Sequence, residues 1–154
     1  MATVESIKPR ATIGDAAVDG LWAGLGAGLG MLLYWIVAGF VLADRWTTWL
    51  AQFDLSGARM PITGGLTILA IGAVYGVFFG ILVWLIPPRW RPLPGWLLAL
   101  VYTLILLLLA ETIFLPRMDS PVRAIPQLPM LLGHILYGLG LGWLIQRAGT
   151  VGRP

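Results

Sequence analysis

The 154-residue chain contains no cysteine, which excludes disulfide staples, thiolate metal sites and thiol nucleophiles. Histidine occurs once, at His134, so one chain cannot supply a bis-histidine haem site. Charged side chains make up only 11% of the residues, against about 25% in a soluble domain. That is too little charge to coat a water-facing surface. Several chemical signatures are also missing: a phosphate-cradling GxxxxGK[ST] loop, HExxH, carboxylates paired at fixed spacing, and a Ser-His-Asp set. Gly24-x-Gly26-x-x-x-Gly30 is not a dinucleotide loop. The acids stand mostly near the ends of apolar runs, so no catalytic constellation forms and an enzyme is not the expected class.

Apolar length is what the chain has in abundance. Hydrophobic residues reach 58% and the mean hydropathy is +0.87, so lipid is the expected solvent for much of the chain. Four runs are long enough to cross a bilayer, at about 21–43, 64–86, 96–115 and 129–145. The expected fold is an all-α integral membrane bundle of four transmembrane helices, with a polar segment 1–20, one membrane domain 21–147 and a tail 148–154. Leu21–Ala43 is too long, and too acidic upstream, for a cleavable signal. Thr12-Ile13-Gly14-Asp15 has capping-box spacing, which starts the first helix before the lipid.

The connectors are short. Trp46, Trp49, Leu50 and Phe53 form one apolar stripe, on a short helix that either lies among headgroups or caps its own bundle. Pro87–Pro94 and Pro116–Gln127 are proline-rich connectors. Basic residues on the side of the termini are Lys8, Arg10, Arg89, Arg91, Arg147 and Arg153; Arg45, Arg59, Arg117 and Arg123 lie opposite. This modest excess places both termini in the cytoplasm of a bacterial-type membrane. The basic residues read as topology signals and headgroup contacts, not as a nucleic-acid surface.

Small residues mark where helices should touch, because lipid tails are as apolar as leucine and close backbone approach drives packing. Gly20, Gly24 and Gly28 repeat every four residues in the first span, Gly72, Gly76 and Gly80 in the second, and Gly138 and Gly142 in the fourth. The third span offers only Ala99 and Ala110, so it is expected to be the most lipid-exposed or to bind a partner through its leucines. Tyr75-Gly76-xxx-Gly80 recurs as Tyr137-Gly138-xxx-Gly142, each followed by Trp-Leu-Ile, which points to two related hairpins. A Tyr-Gly-xxx-Gly on the second and fourth helices, with His134 one turn ahead on the fourth, resembles small four-helix membrane families of the YagU type. Gly72 or Ala73 stands where the second helix of that pattern has histidine. The resemblance covers about a quarter of the chain and implies architecture only.

Two ionisable residues fall inside the lipid. Glu111 and His134 lie at similar shallow depth on facing ends of the third and fourth spans, and are expected to pair with each other, or Glu111 with Arg117 or Arg123. The pairing either fixes helix register or serves a ligand, with His134 as a candidate ligand to a pigment or haem. Tyr34, Tyr75, Tyr102 and Tyr137 fall near one level, where they either line a pocket or donate singly to backbone carbonyls. No cofactor is required, although a bound lipid, quinone or pigment would fit. The leading expectation is an accessory or structural subunit that docks on membrane partners or on itself, in contact with lipid. The alternative is a binder or transporter of a small hydrophobic molecule, pigment or ion in the Glu111/His134/Tyr region.

Overall fold

The computed structural model describes residues 12–42, 45–87, 93–117 and 120–148. The polar segment 1–11, most of the Pro87–Pro94 connector and the tail beyond 148 lie outside the described residues. Four helices are long and apolar enough to cross a membrane: α1 (Ile13–Leu42), α3 (Pro61–Leu85), α4 (Gly95–Arg117) and α5 (Gln127–Ala148). A five-residue helix, α2 (Trp46–Leu50), and one 3-10 turn (Ala51–Phe53) fill the first loop. No strand occurs among the described residues. The protein is therefore an integral membrane protein of the all-α class.

α1 starts more than two turns ahead of its apolar run and the other spans pass theirs by one to three residues, and several helix ends carry their own caps. At α1, Thr12 N and Oγ1 both donate to Asp15 Oδ2 (2.8 and 2.9 Å), and Asp15 N donates back to Thr12 Oγ1 (3.2 Å). This reciprocal cap starts the helix eight residues before the expected span. Pro61 supplies the first residue of α3, where its missing N–H costs nothing. At α4 the N-terminal amides are met from another helix. With its amide oxygen turned toward them, Gln146 accepts from Gly95 N (2.7 Å) and Trp96 N (3.2 Å).

The helices are arranged in the order α3–α1–α5–α4, so the two consecutive spans α3 and α4 are not neighbours along their backbones. Glycine sets this order. A Cβ on Gly76 would collide with Gly20 O and lie 2.8 Å from Gly24 N; one on Gly80 would collide with Ala16 O and lie 3.0 Å from Gly20 Cα. Gly28 stands opposite Leu69 and Gly72. The expected glycine rows of the first and second spans thus face each other, backbone against backbone. The row on α5 does the same toward α4. A Cβ on Gly142 would strike Trp96 Cα, and one on Gly138 would strike Thr103 Oγ1 and lie 3.1 Å from Leu100 Cα.

In both hairpins the repeated Tyr-Gly-xxx-Gly therefore turns its glycines toward the preceding span. The hairpins join through α1 and α5, where Gly140 meets Ala27 and Gly133 meets Trp35. As expected of a span without internal glycine, α4 buries the smallest share of its apolar window. It is nevertheless held firmly, since Ala99 and Thr103 are buried against α5.

The first loop folds over the end of the bundle. Trp35, fully buried, sits edge-on to Trp49 (5.5 Å between centroids) and within 5.1 Å of Phe53. The apolar stripe of α2 thus packs inward, Trp49 and Leu50 buried, while Trp46 remains exposed. Behind it, Asp54 organises the turn into α3. Its carboxylate accepts from Ser56 N (3.0 Å), Ser56 Oγ (2.8 Å) and Met60 N (2.8 Å). Left-handed backbone at Gly57 (φ 79°) and Arg59 (φ 54°) lets the chain wrap around it. The donated hydrogen bonds, those from Met60 and Ser56 foremost, hold the Asp54 carboxyl down at about 2.

Two outcomes follow from these contacts. Gly76→Ala forces the α1 and α3 backbones apart and should lower stability in detergent by about 1–3 kcal/mol. Gly30→Ala, with nothing within 4 Å of the new Cβ, should be neutral or stabilising by up to about 1 kcal/mol; thermal unfolding compares the two. A carboxyl held below its ordinary value contributes stability that is complete above about pH 4 and is lost as pH falls toward about 2. The melting-temperature difference between wild type and Asp54→Asn should therefore be constant above pH 4 and shrink between about pH 4 and 2.

Candidate functional site: a slot between the second and third spans

Because α3 and α4 do not share a backbone interface, space remains between them on the loop side of mid-membrane. They meet at one level, where Tyr102 Oη donates to Tyr75 O (3.0 Å) and the Tyr102 ring lies 5.2 Å from Phe79. Toward the loops a half-enclosed cavity of about 310 Å³ opens between them. Ile68, Ile71 and Tyr75 of α3 form one wall, and Leu106, Ala110 and Phe114 of α4 the other. Met31 of α1 and His134 and Tyr137 of α5 form the floor. From Thr67 to Tyr75 the slot runs about 12 Å along the membrane normal, at about 1.5 Å per helical residue. That is close to the depth of one hydrocarbon leaflet, about half of 30 Å.

The α4 wall is irregular for a covalent reason. Ala110–Phe114 form a π turn, with Leu115 N donating to Ala110 O. Pro116 has no N–H for Thr112 O, and in regular α geometry its ring would press on that carbonyl. Widening the turn by one residue relieves the clash. Thr112 Oγ1 then donates back to Leu108 O (2.6 Å), and Arg117 reaches Ile113 O (3.4 Å).

Within this frame the tyrosines separate by role. Tyr34 donates to Pro129 O (2.9 Å) and ties α1 to the start of α5, away from the slot. Tyr102 closes the mid-membrane end. Tyr137, on the floor, donates to Gly72 O (2.6 Å) and bridges α5 to α3. Tyr75 lines the slot, and its hydroxyl makes no hydrogen bond among the described residues. Three of the four thus donate singly to backbone carbonyls, and two of the four line the cavity.

His134 is fixed by its own helix. Nδ1 lies 2.9 Å from Met130 O. A carbonyl only accepts, so Nδ1 carries the hydrogen, and in the neutral ring Nε2 is left with a lone pair. No hydrogen bond or ion pair joins His134 to Glu111 among the described residues, because the i–4 carbonyl already holds the ring. Glu111 stands in a neighbouring, more polar hollow with Thr112, Arg123 and Gln127. The two cavities share Leu115, Val122 and Met130.

Sequence reasoning missed Thr103, which is 1% exposed and serves both the α5 interface and the slot. The signal was available: Ala99 and Thr103 are small residues four apart in an otherwise leucine-rich span. It also missed the slot's apolar walls, since nothing in a row of Ile and Leu distinguishes a cavity from a lipid contact. Trp22 and Trp35 divide as partner or lipid, Trp35 buried and Trp22 facing outward. Arg147 lies 4.0 Å over the Trp143 ring at the far end of α5.

Protein-family models, curated proteins and solved structures offer no match to this chain.

The Tyr137–Gly72 bond is the link between the two hairpins beneath the slot. Tyr137→Phe removes it while keeping the ring, and should cost about 0.6 kcal/mol, the average for hydrogen bonds between membrane helices, and at most about 1.7 kcal/mol. Thermal unfolding in detergent measures that loss, with Tyr75→Phe, which gives up no internal bond, expected to match wild type.

Proposed function

We propose that the protein is an intramembrane binding protein, whose slot between α3 and α4 takes an elongated lipid-soluble molecule with a small polar head. One observation carries this reading: an apolar cavity of leaflet depth lined by His134 and Tyr75, whose Nε2 and Oη have no hydrogen-bond partner among the described residues. Binding sites for small molecules have this character, mostly apolar walls with a few polar groups that orient the ligand. The volume stands at the lower end of the ligand-site range, roughly 300–1,000 Å³. A transport role for Glu111 gains less support, since it stands outside the slot and short of mid-membrane.

A second reading, an accessory subunit in a larger membrane assembly or homo-oligomer, rests on the outward face of α4, the span that buries least of its surface. Lipid covers such a face equally well, which makes this the weaker of the two. A resemblance to YagU-type families is compatible with either and adds no activity.

Native mass spectrometry after mild detergent extraction separates the readings. The binder retains a small-molecule adduct that Ile71→Trp, which fills the slot, removes. Phe78→Trp, on a side chain 60% exposed and outside the cavity lining, leaves the adduct in place. An adduct unaffected by Ile71→Trp would sink the slot as its site, and a stoichiometric protein partner without any adduct would favour the subunit.

A further inference from the structure

The slot is walled in at both ends and along its floor. At the mid-membrane end, beyond the Tyr102–Tyr75 bridge, Phe79, Val83, Ala99 and Leu141 pack into one buried cluster. The floor is formed by α1 and α5, which pack against each other. At the loop end the turn Ala51–Phe53 lies against a second 3-10 turn, Pro121–Ala124, and Phe53 and Val122 pack over the buried Trp49, Ile125 and Met130. Phe53, Leu55, Ser120 and Val122 thereby roof the slot against the water. The remaining side lies between α3 and α4, the two outer helices of the row, which share no backbone interface. Exposure along the lining points the same way. Ile68 and Leu107 are buried, whereas Leu55, Ile71 and Phe114 are exposed and form the rim. Ile71 stands ten residues beyond Pro61, about 15 Å down α3 at 1.5 Å per residue, well inside the hydrocarbon. No Asp, Glu, Lys or Arg is among the described residues lining the slot.

Resting on the slot reading above, we propose that the slot is filled sideways, by a lipid of the loop-side leaflet whose chain slides between α3 and α4 past the rim of Leu55, Ile71 and Phe114. The ligand thus reaches its site without leaving the bilayer. By this route the chain exchanges lipid contacts for contacts with Ile and Leu of the same character, and no apolar surface meets water. Entry through the roof would expose the chain to water and part the packed Phe53 and Val122. The blind end at Tyr102 fixes the leaflet, because the slot lies between that level and the loops and does not continue into the other half of the membrane.

The test uses the full-length protein in lipid nanodiscs with two kinds of photoprobe: phosphatidylethanolamine carrying a diazirine on one acyl chain, and free hexadecanol carrying the same group. Labelled residues are mapped by mass spectrometry. The anchored probe should label the inner wall at Ile68 and Leu107 as well as the outward face at Phe78. With the diazirine near the head group it should mark the loop end of the slot, at Thr67 and Leu115; with the diazirine near the methyl end it should mark Leu106 and Tyr75. Ile71→Trp, which narrows the rim, should lose the inner-wall labels and keep the one at Phe78, which reports an intact fold. Phe114→Ala, which widens the rim, should strengthen them. Inner-wall labelling by hexadecanol but not by the anchored probe would overturn the sideways route and leave the slot standing. Anchored-probe labelling that ignores both rim variants would overturn the rim as the entrance, and a reversed depth order would overturn the loop-side leaflet. Absence of inner-wall labelling by either probe would overturn the slot reading itself.

Discussion

The structure depends on backbone touching backbone between α1 and α3. Leucine-to-leucine contact gives helices no advantage over leucine-to-lipid contact, so a bundle needs some surface that lipid cannot cover equally well. Gly20, Gly24, Gly72, Gly76 and Gly80 provide it, by letting two backbones approach to distances at which a methyl group would collide with a carbonyl. Everything else is built outward from this pair: α5 leans on the other side of α1, and α4 leans on α5.

That serial order explains why an empty space exists. With α4 attached to α5 through Gly138 and Gly142, its hydrogen bond to α3 among the described residues is the Tyr102 bridge. Aromatic rings prop the two walls apart at one level, and the proline-induced π turn gives the α4 wall an irregular course at the other. The cavity is thus a by-product of where the small residues are and are not. Its floor is different. His134 and Tyr137 both satisfy themselves on backbone carbonyls, so the polar atoms left over are few and their direction of hydrogen bonding is defined.

The architecture could be read from the chain because its determinants are one-dimensional: run length for the spans, four-residue spacing for the glycine faces, Thr12 and Asp15 for the first cap. Which glycine row faces which helix was not set by spacing, although in the first hairpin both partners carry a row. It was harder for the second, because α4 answers Gly138 and Gly142 with Ala99 and Thr103, and threonine does not advertise itself as small. The slot was not legible. Its walls use the same Ile and Leu as the lipid-facing surface, and its existence rests on the spatial order of helices, which the loops alone do not dictate. Tyr75, Tyr137 and His134 could be singled out as polar residues at depth. Their hydrogen-bond partners could not, since Met130 O and Gly72 O are backbone groups available on any helix.

The seating of Gln146 on the first amides of α4 has a consequence for the order in which the molecule is made. α1 and α3 carry their whole interface between them and can close as soon as both have entered the bilayer. The next helix cannot be completed in the same way: its opening amides wait for a side chain at the very end of the last span, synthesised some fifty positions later. Assembly thus has two parts, a hairpin that closes on its own glycine faces and one whose first helix is completed only when Gln146 is in place. The slot, walled by one helix from each, comes into being at that final step.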